Sequence, residues 1–205
     1  MREISEEQKE RGELGENVIY KKFSYLISNG GFILHSYTYP MTQDLPGNIK
    51  KVNDKPQVCP PAENTEIDIL IVTKNYVYPV EVKTYKGLIK IGQYGISRPN
   101  GYVDDKSPIH QNEMHARHLY DQIYFFLPKG NHKYIKPLVI FTDKCNIEDR
   151  RPDKEINYIP AFIINNAVTY MNKLEKSASG DIIDIKNLYK KLMEIGSCKK
   201  EMKVW

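Results

Sequence analysis

The run Glu66-Ile67-Asp68-Ile69-Leu70-Ile71-Val72 is followed, after a short turn, by Val77-Tyr78-Pro79-Val80-Glu81-Val82-Lys83. Both runs are β-branched and aromatic, and Asn tolerates a positive φ, so Lys74-Asn75 is the natural two-residue loop of a hairpin. Pairing Thr73 with Tyr76 sets the register: Val72 faces Val77, Leu70 faces Pro79 and Asp68 faces Glu81. Two carboxylates then meet on one face of an apolar hairpin, and Lys83 joins them because residues i and i+2 of a strand share a face. Like charges directly opposite destabilise a sheet, and burying them unpaired costs more, unless a divalent cation takes oxygen ligands from both. A solvated strand with salt-bridged charges is the alternative. Ile67, Ile69, Ile71, Val80 and Val82 count against it, since they require at least one buried face. In this register the missing N–H of Pro79 points away from its hairpin partner, which predicts an edge or a bulge on that side.

A helix is predicted from Ser5, where Gln8 completes a capping-box spacing, to Asn29-Gly30-Gly31, where glycines end it. Helical periodicity places Ile19, Tyr20, Phe23, Leu26 and Ile27 on one stripe with Glu16 at its middle. Gly12 and Gly15 lie on the same side and would allow close approach to another backbone, at a cost in helix stability. Glu16 either snorkels past the helix end or points into the charged cluster.

Taken in order, Gly15-Glu16, Ile67-Asp68, Glu81-Val82-Lys83 with Gly87 after it, and Pro108 with Gln111 opening another helix resemble the nuclease-related domain, NERD, a branch of the PD-(D/E)XK nuclease superfamily. The resemblance covers about residues 11 to 145. It implies active-site positions for Glu16, Asp68, Glu81, Lys83 and Gln111. It also implies one or two Mg²⁺ (or Mn²⁺) ions held by Asp68, Glu81 and Glu16, with the Val82 carbonyl as a further ligand. Two departures stand out. Ile69 occupies the position where the family commonly has His, and a long polar segment before Thr65 reads as an insertion. The carboxyl-terminal third carries no motif of the family.

Composition fits one soluble domain spanning residues 1–205, with 40% hydrophobic and 27% charged residues. No apolar run approaches the roughly 18 residues of a membrane span, and Met1-Arg2-Glu3 leads into no signal-peptide core. Cys59, Cys145 and Cys198 are odd in number and scattered, which argues against disulfides or a zinc finger and for a reducing, cytoplasmic setting. The net charge of +4 is small, but Lys83, Lys86, Lys90, Arg98, Lys106 and Arg117 crowd the region after the hairpin. They form either a phosphate-attracting patch or an ordinary solvated face.

Gly31 to Tyr37 reads as a first strand, and Pro40, Pro46, Pro56, Pro60 and Pro61 mark a long irregular loop after it. Gly87 to Gly92 is a further short strand, and Gly92 to Ser107 reads as a flap. A helix starts at Ser107-Pro108 and reaches about Leu127. Strands follow at Lys136 to Thr142 and Ile159 to Ile163, then helices near Asn165 to Leu174 and Ile182 to Ile195.

Gln111, His115 and His118 share one helix face, but without an HExxH arrangement they do not indicate a zinc site. By the resemblance, Gln111 hydrogen-bonds Lys83 or a substrate phosphate. Tyr85, Tyr94 and Tyr102 are candidates for base stacking, although half-buried tyrosines are common in any core. No nucleophile triad or P-loop is present.

The expectation is an α/β restriction-endonuclease-like fold, a central mixed sheet flanked by helices, carrying a metal-dependent phosphodiesterase site acting on DNA in preference to RNA. Lys83 would position or deprotonate the attacking water, or stabilise developing charge. The rival reading is a non-catalytic nucleic-acid or partner-binding module that keeps the fold. Such a module needs the positive patch and not the carboxylates.

Overall fold

The computed structural model describes residues 5–41, 49–52, 55–58, 64–92, 95–98, 107–142, 145–151, 159–178, 180 and 182–205. Cys59, Tyr94, Tyr102, Lys106 and most of the expected flap lie outside the described residues.

Helix α1 (Glu6–Lys22) and a 3₁₀ turn (Ser24–Ile27) lead into β1 (Gly31–Pro40), so the α-helix stops earlier than the glycines suggest. Next come β2 (Ile49–Val52) and β3 (Lys55–Val58), an antiparallel pair within the segment expected to be irregular, and then β4 (Asn64–Thr73) and β5 (Val77–Lys83). Strands β6 (Gly87–Gly92) and β7 (Gly95–Ser97) precede α2 (Pro108–Ile123), which starts on a proline as expected and passes into short 3₁₀ turns. The chain continues through β8 (Leu138–Phe141), β9 (Cys145–Asp149), β10 (Ala161–Ile163), α3 (Ile164–Lys176), α4 (Ile185–Ile195) and β11 (Lys200–Val204).

Six strands form a mixed sheet in the order β10-β8-β5-β4-β1-β11, with β10, β8 and β5 parallel and the remaining neighbours antiparallel. A smaller sheet, β7-β6-β9, packs beside it through Ile89, Ile91 and Ile96 against Val139 and Phe141. Leu119 and Ile123 of α2 with Leu188 and Leu192 of α4 cover one face of the large sheet. Ile19 of α1 with Ile164, Ala167 and Met171 of α3 cover the other.

The β4–β5 hairpin adopts the expected register, with Ile69 opposite Val80, Leu70 opposite Pro79 and Val72 opposite Val77. Glu175 of α3 secures its turn by accepting hydrogen bonds from Thr73, from Asn75 (2.6 Å) and from the Tyr78 hydroxyl (2.6 Å).

Pro79 departs from expectation: β5 is a central strand and needs neither an edge nor a bulge there. One step before the Val80–Leu138 pair, Pro79 comes opposite Pro137, so neither residue offers an N–H. The fully buried Asn112 of α2 fills this interruption, its Nδ2 donating to the Pro79 carbonyl (3.1 Å) and the Leu138 carbonyl (2.9 Å). Each such bond is worth about 1 kcal/mol net, and leaving either carbonyl unmet costs more.

Between β1 and β4 the pairing runs from Gly31–Thr73 to Pro40–Asn64 but omits Ser36 and Asp68. Phe32 and Leu34, and Leu70 and Val72, belong to the core beneath α2; past the omitted pair the same core receives Tyr37, Tyr39 and Ile67. Ile33, Ile69 and Ile71 belong to the core beneath α1 and α3. Strict alternation would have sent Tyr37 and Ile67 to that second core, so both strands exchange faces at Ser36 and Asp68. Ser36 takes the left-handed φ of 50° that this exchange demands.

Candidate active site

Asp68 thus sits where two strands change faces together. Its Oδ2 accepts the Val82 N–H at 2.7 Å, a bond that replaces the next step of the β4–β5 ladder and lets the strands part. The sequence register brings Asp68 opposite Glu81, and the structure adds this side-chain bridge at the same point.

Glu81 is almost fully buried, at 1% exposure, on a strand held centrally by β4 and β8. Its Oε1 accepts a hydrogen bond from Lys83 Nζ, while its Oε2 is buried without a hydrogen-bond partner. Burial first, and then repulsion from Asp68, push the Glu81 carboxyl up to about 7 despite the opposing Lys83 ammonium. Burial also raises Asp68, against the pull of Lys83 and the Val82 N–H.

Glu16 comes from α1 and points inward, which settles the choice between snorkelling and the cluster. Its Oε2 lies 2.7 Å from His35 Nε2 and 3.5 Å from Ser36 Oγ. Burial and then Asp68 raise its pKa to about 7, whereas burial lowers that of His35. Both shifts disfavour the charged forms, so burial works against a full ion pair at this contact. Gly15 makes room for the approach, because a Cβ there would stand 2.5 Å from the Thr84 methyl. Gly12 plays no such part: a Cβ there meets nothing within 4 Å, contrary to the expectation of close backbone approach.

Lys83 is half-buried and bound to Glu81. Gln111 is half-buried on α2, one turn before His115, and its backbone N–H bonds the Ser107 carbonyl. Lys86 is exposed, Arg98 lies 3.9 Å over the Tyr85 ring, and Arg117 is 3.9 Å from Glu113.

Two residues at the cluster went unread as site residues. His35 is the cross-strand partner of Ile69, so an imidazole reaches the cluster from β1 although none follows Asp68. A lone His in an apolar strand carries no local signal for this. His115 is buried, with Nδ1 3.8 Å from Glu81 Oε2, and burial followed by Lys83 lowers its pKa to about 4. Its position on the face of Gln111 was the available signal.

Among the described residues, no three His, Cys, Asp or Glu side chains stand gathered at the spacing of metal ligands. The fit of a divalent ion rests instead on the orphaned Glu81 Oε2 and on carboxylates whose mutual repulsion a cation offsets.

A mixed sheet flanked by helices on both faces, with an acidic and lysine cluster where its central strands part, is the restriction-endonuclease-like arrangement. Residues 11–142, well over half of the chain, match the family described as NERD, nuclease-related domain, and the chain belongs to that family. No curated protein and no solved structure matches it. No helix among the described residues is long and apolar enough to cross a membrane.

Proposed function

We propose that this chain is a metal-dependent nuclease that hydrolyses phosphodiester bonds, with DNA as substrate in preference to RNA. The observation that carries this reading is the pairing of Glu81 with Lys83 beside Asp68, with one buried Glu81 oxygen left unmet. A purely structural charge cluster would satisfy that oxygen, since an unmet buried acceptor costs about 1–3 kcal/mol.

Asp68, Glu81 and Glu16 would hold Mg²⁺ or Mn²⁺, with the Val82 carbonyl as a further ligand. What such an ion supplies is positive charge among the carboxylates and Lewis acidity toward water and phosphate oxygens. Lys83, fixed by Glu81, would orient the attacking water or stabilise charge developing on the phosphate. Lys86, Lys90, Arg98 and Arg117 would attract the polyanion. The preference for DNA follows from the superfamily resemblance.

The test is calorimetry with Mg²⁺ and Mn²⁺ together with cleavage assays on single-stranded, duplex and branched DNA and on RNA. The parent should bind a divalent ion and cleave only in its presence, and Asp68→Asn and Glu81→Gln should bind the ion more weakly and lose cleavage while remaining folded. Cleavage at the parent rate by either variant would move the active site elsewhere.

A further inference from the structure

We infer that His115 is an additional donor to the divalent ion at this cluster, giving the site a mixed carboxylate and imidazole character that favours Mn²⁺ over Mg²⁺. The inference rests on the metal-dependent reading above and assigns a residue that neither the hairpin nor the family positions supply.

The placement of the ring follows from the helix that carries it. Asn112 ties α2 to the Pro79 and Leu138 carbonyls, and His115 follows three residues later on the adjoining face. The Tyr39 hydroxyl donates to the His115 carbonyl at 2.9 Å, fixing the backbone from β1 as well. These bonds fix the backbone of His115, and its side chain is buried, 7% exposed, beside Glu81 of β5.

His115 Nδ1 and Glu81 Oε2 are both buried and both without a hydrogen-bond partner. They face each other at 3.8 Å, too far for a direct hydrogen bond. Four buried side-chain atoms among the described residues lack partners, and these are two of them, so the coincidence of position calls for an account. Donors about 2.0–2.2 Å from a shared ion stand at most about 4.4 Å apart, so the gap between these two atoms fits one ion, while a third donor has to close in on it, since no three such side chains stand at ligand spacing among the described residues. Asp68, whose Oδ2 accepts the N–H of Val82, the residue after Glu81, is a further carboxylate at this point of the sheet.

Metal preference follows from donor type. Mg²⁺ and Ca²⁺ take oxygen ligands, whereas imidazole raises affinity for first-row transition ions. A site of carboxylates alone would show no such bias beyond the general order of affinities.

The experiment uses the full chain, freed of metal and then titrated with MgCl₂ or MnCl₂ by calorimetry, with pulsed electron paramagnetic resonance of the Mn²⁺-loaded sample. The parent should show ¹⁴N modulation from a directly bound imidazole. His115→Gln and His115→Ala should lose it and weaken Mn²⁺ binding by about tenfold or more, with Mg²⁺ binding changed by less than about threefold. His35→Gln serves as the control and should keep the nitrogen signal. Two variants guard against loss of folding, which circular dichroism monitors. Retained ¹⁴N modulation in both His115 variants, or unchanged Mn²⁺ affinity, overturns the inference and leaves His115 as a hydrogen-bonding neighbour through water. If the parent binds neither ion, the metal-dependent reading itself falls, and that result is distinct from a parent that binds both ions without nitrogen coupling.

Discussion

Ser36 on β1 and Asp68 on β4 stand opposite each other at the position where the ladder between their strands is interrupted, and both strands exchange faces there. The acid at the centre of the proposed site and the strained backbone beside it are two sides of one local distortion. Such strain persists only where surrounding structure enforces it.

Ser36 has a φ of 50°, which a β-branched residue adopts only at high cost. Ser36→Gly should leave stability within about 1 kcal/mol, relief of strain being offset by backbone entropy. Ser36→Val, ordinarily a favourable strand substitution, should cost about 2–3 kcal/mol in urea denaturation. Equal stability of the two variants would contradict the face exchange.

The two glycines of α1 should respond in opposite ways to alanine. Gly12→Ala meets open space and should add about 0.5–1 kcal/mol of helix stability. Gly15→Ala would drive a methyl to 2.5 Å from Thr84 and should destabilise by about 1–2 kcal/mol despite the same propensity gain. Thermal melting of the pair checks both signs.

The folded-state pKa of Glu81, about 7, lies above its ordinary 4.5. The folded chain thus holds that proton more tightly than the unfolded chain. Glu81 costs nothing below about pH 4.5, and its penalty grows with pH until it is complete above about pH 7. In metal-free buffer, Glu81→Gln should match the parent near pH 4 and exceed it by on the order of 3 kcal/mol at pH 8. An advantage confined to acid would reverse the assignment.

Lys83→Ala should lower turnover by about 10²-fold or more with only a modest loss of DNA affinity, because one ammonium among several adds little to phosphate attraction. Single-turnover rates and binding titrations separate the two quantities. Equal losses in both would make Lys83 a binding residue.

Glu16→Gln keeps an oxygen for His35 but removes a charge near Asp68. It should weaken divalent-ion binding in the parent and have a smaller effect when Glu81→Gln is already present, since residues serving one ion are not additive. Calorimetry on the four members of the cycle measures the coupling, and additive effects would take Glu16 out of the site.

The hairpin register was legible because a two-residue loop fixes pairing locally, whereas an acid in an apolar helical stripe left the direction of Glu16 open between the helix end and the cluster until its contact with His35 was in view. The face exchange was not, since the backbone of Ser36 answers to Asp68 across 32 positions of chain. Strand β11, largely exposed and rich in Lys and Glu, lacks the apolar alternation that betrays a strand and pairs only because β1 offers an edge. His35 and Asn112 were hidden for one reason: a single polar residue in a buried run reads the same whether it fills a gap in a sheet, meets an acid or merely tolerates burial.

Asn112 fixes more than two carbonyls. Apolar packing lets a helix slide or roll by small amounts at little cost, but an amide donating to two strands at once admits a single setting, as a pin sets a dial. Inserting one residue between Asn112 and His115 would leave the pin seated and turn everything beyond it by about 100°. The length of that three-residue interval is therefore what keeps the His115 ring beside Glu81.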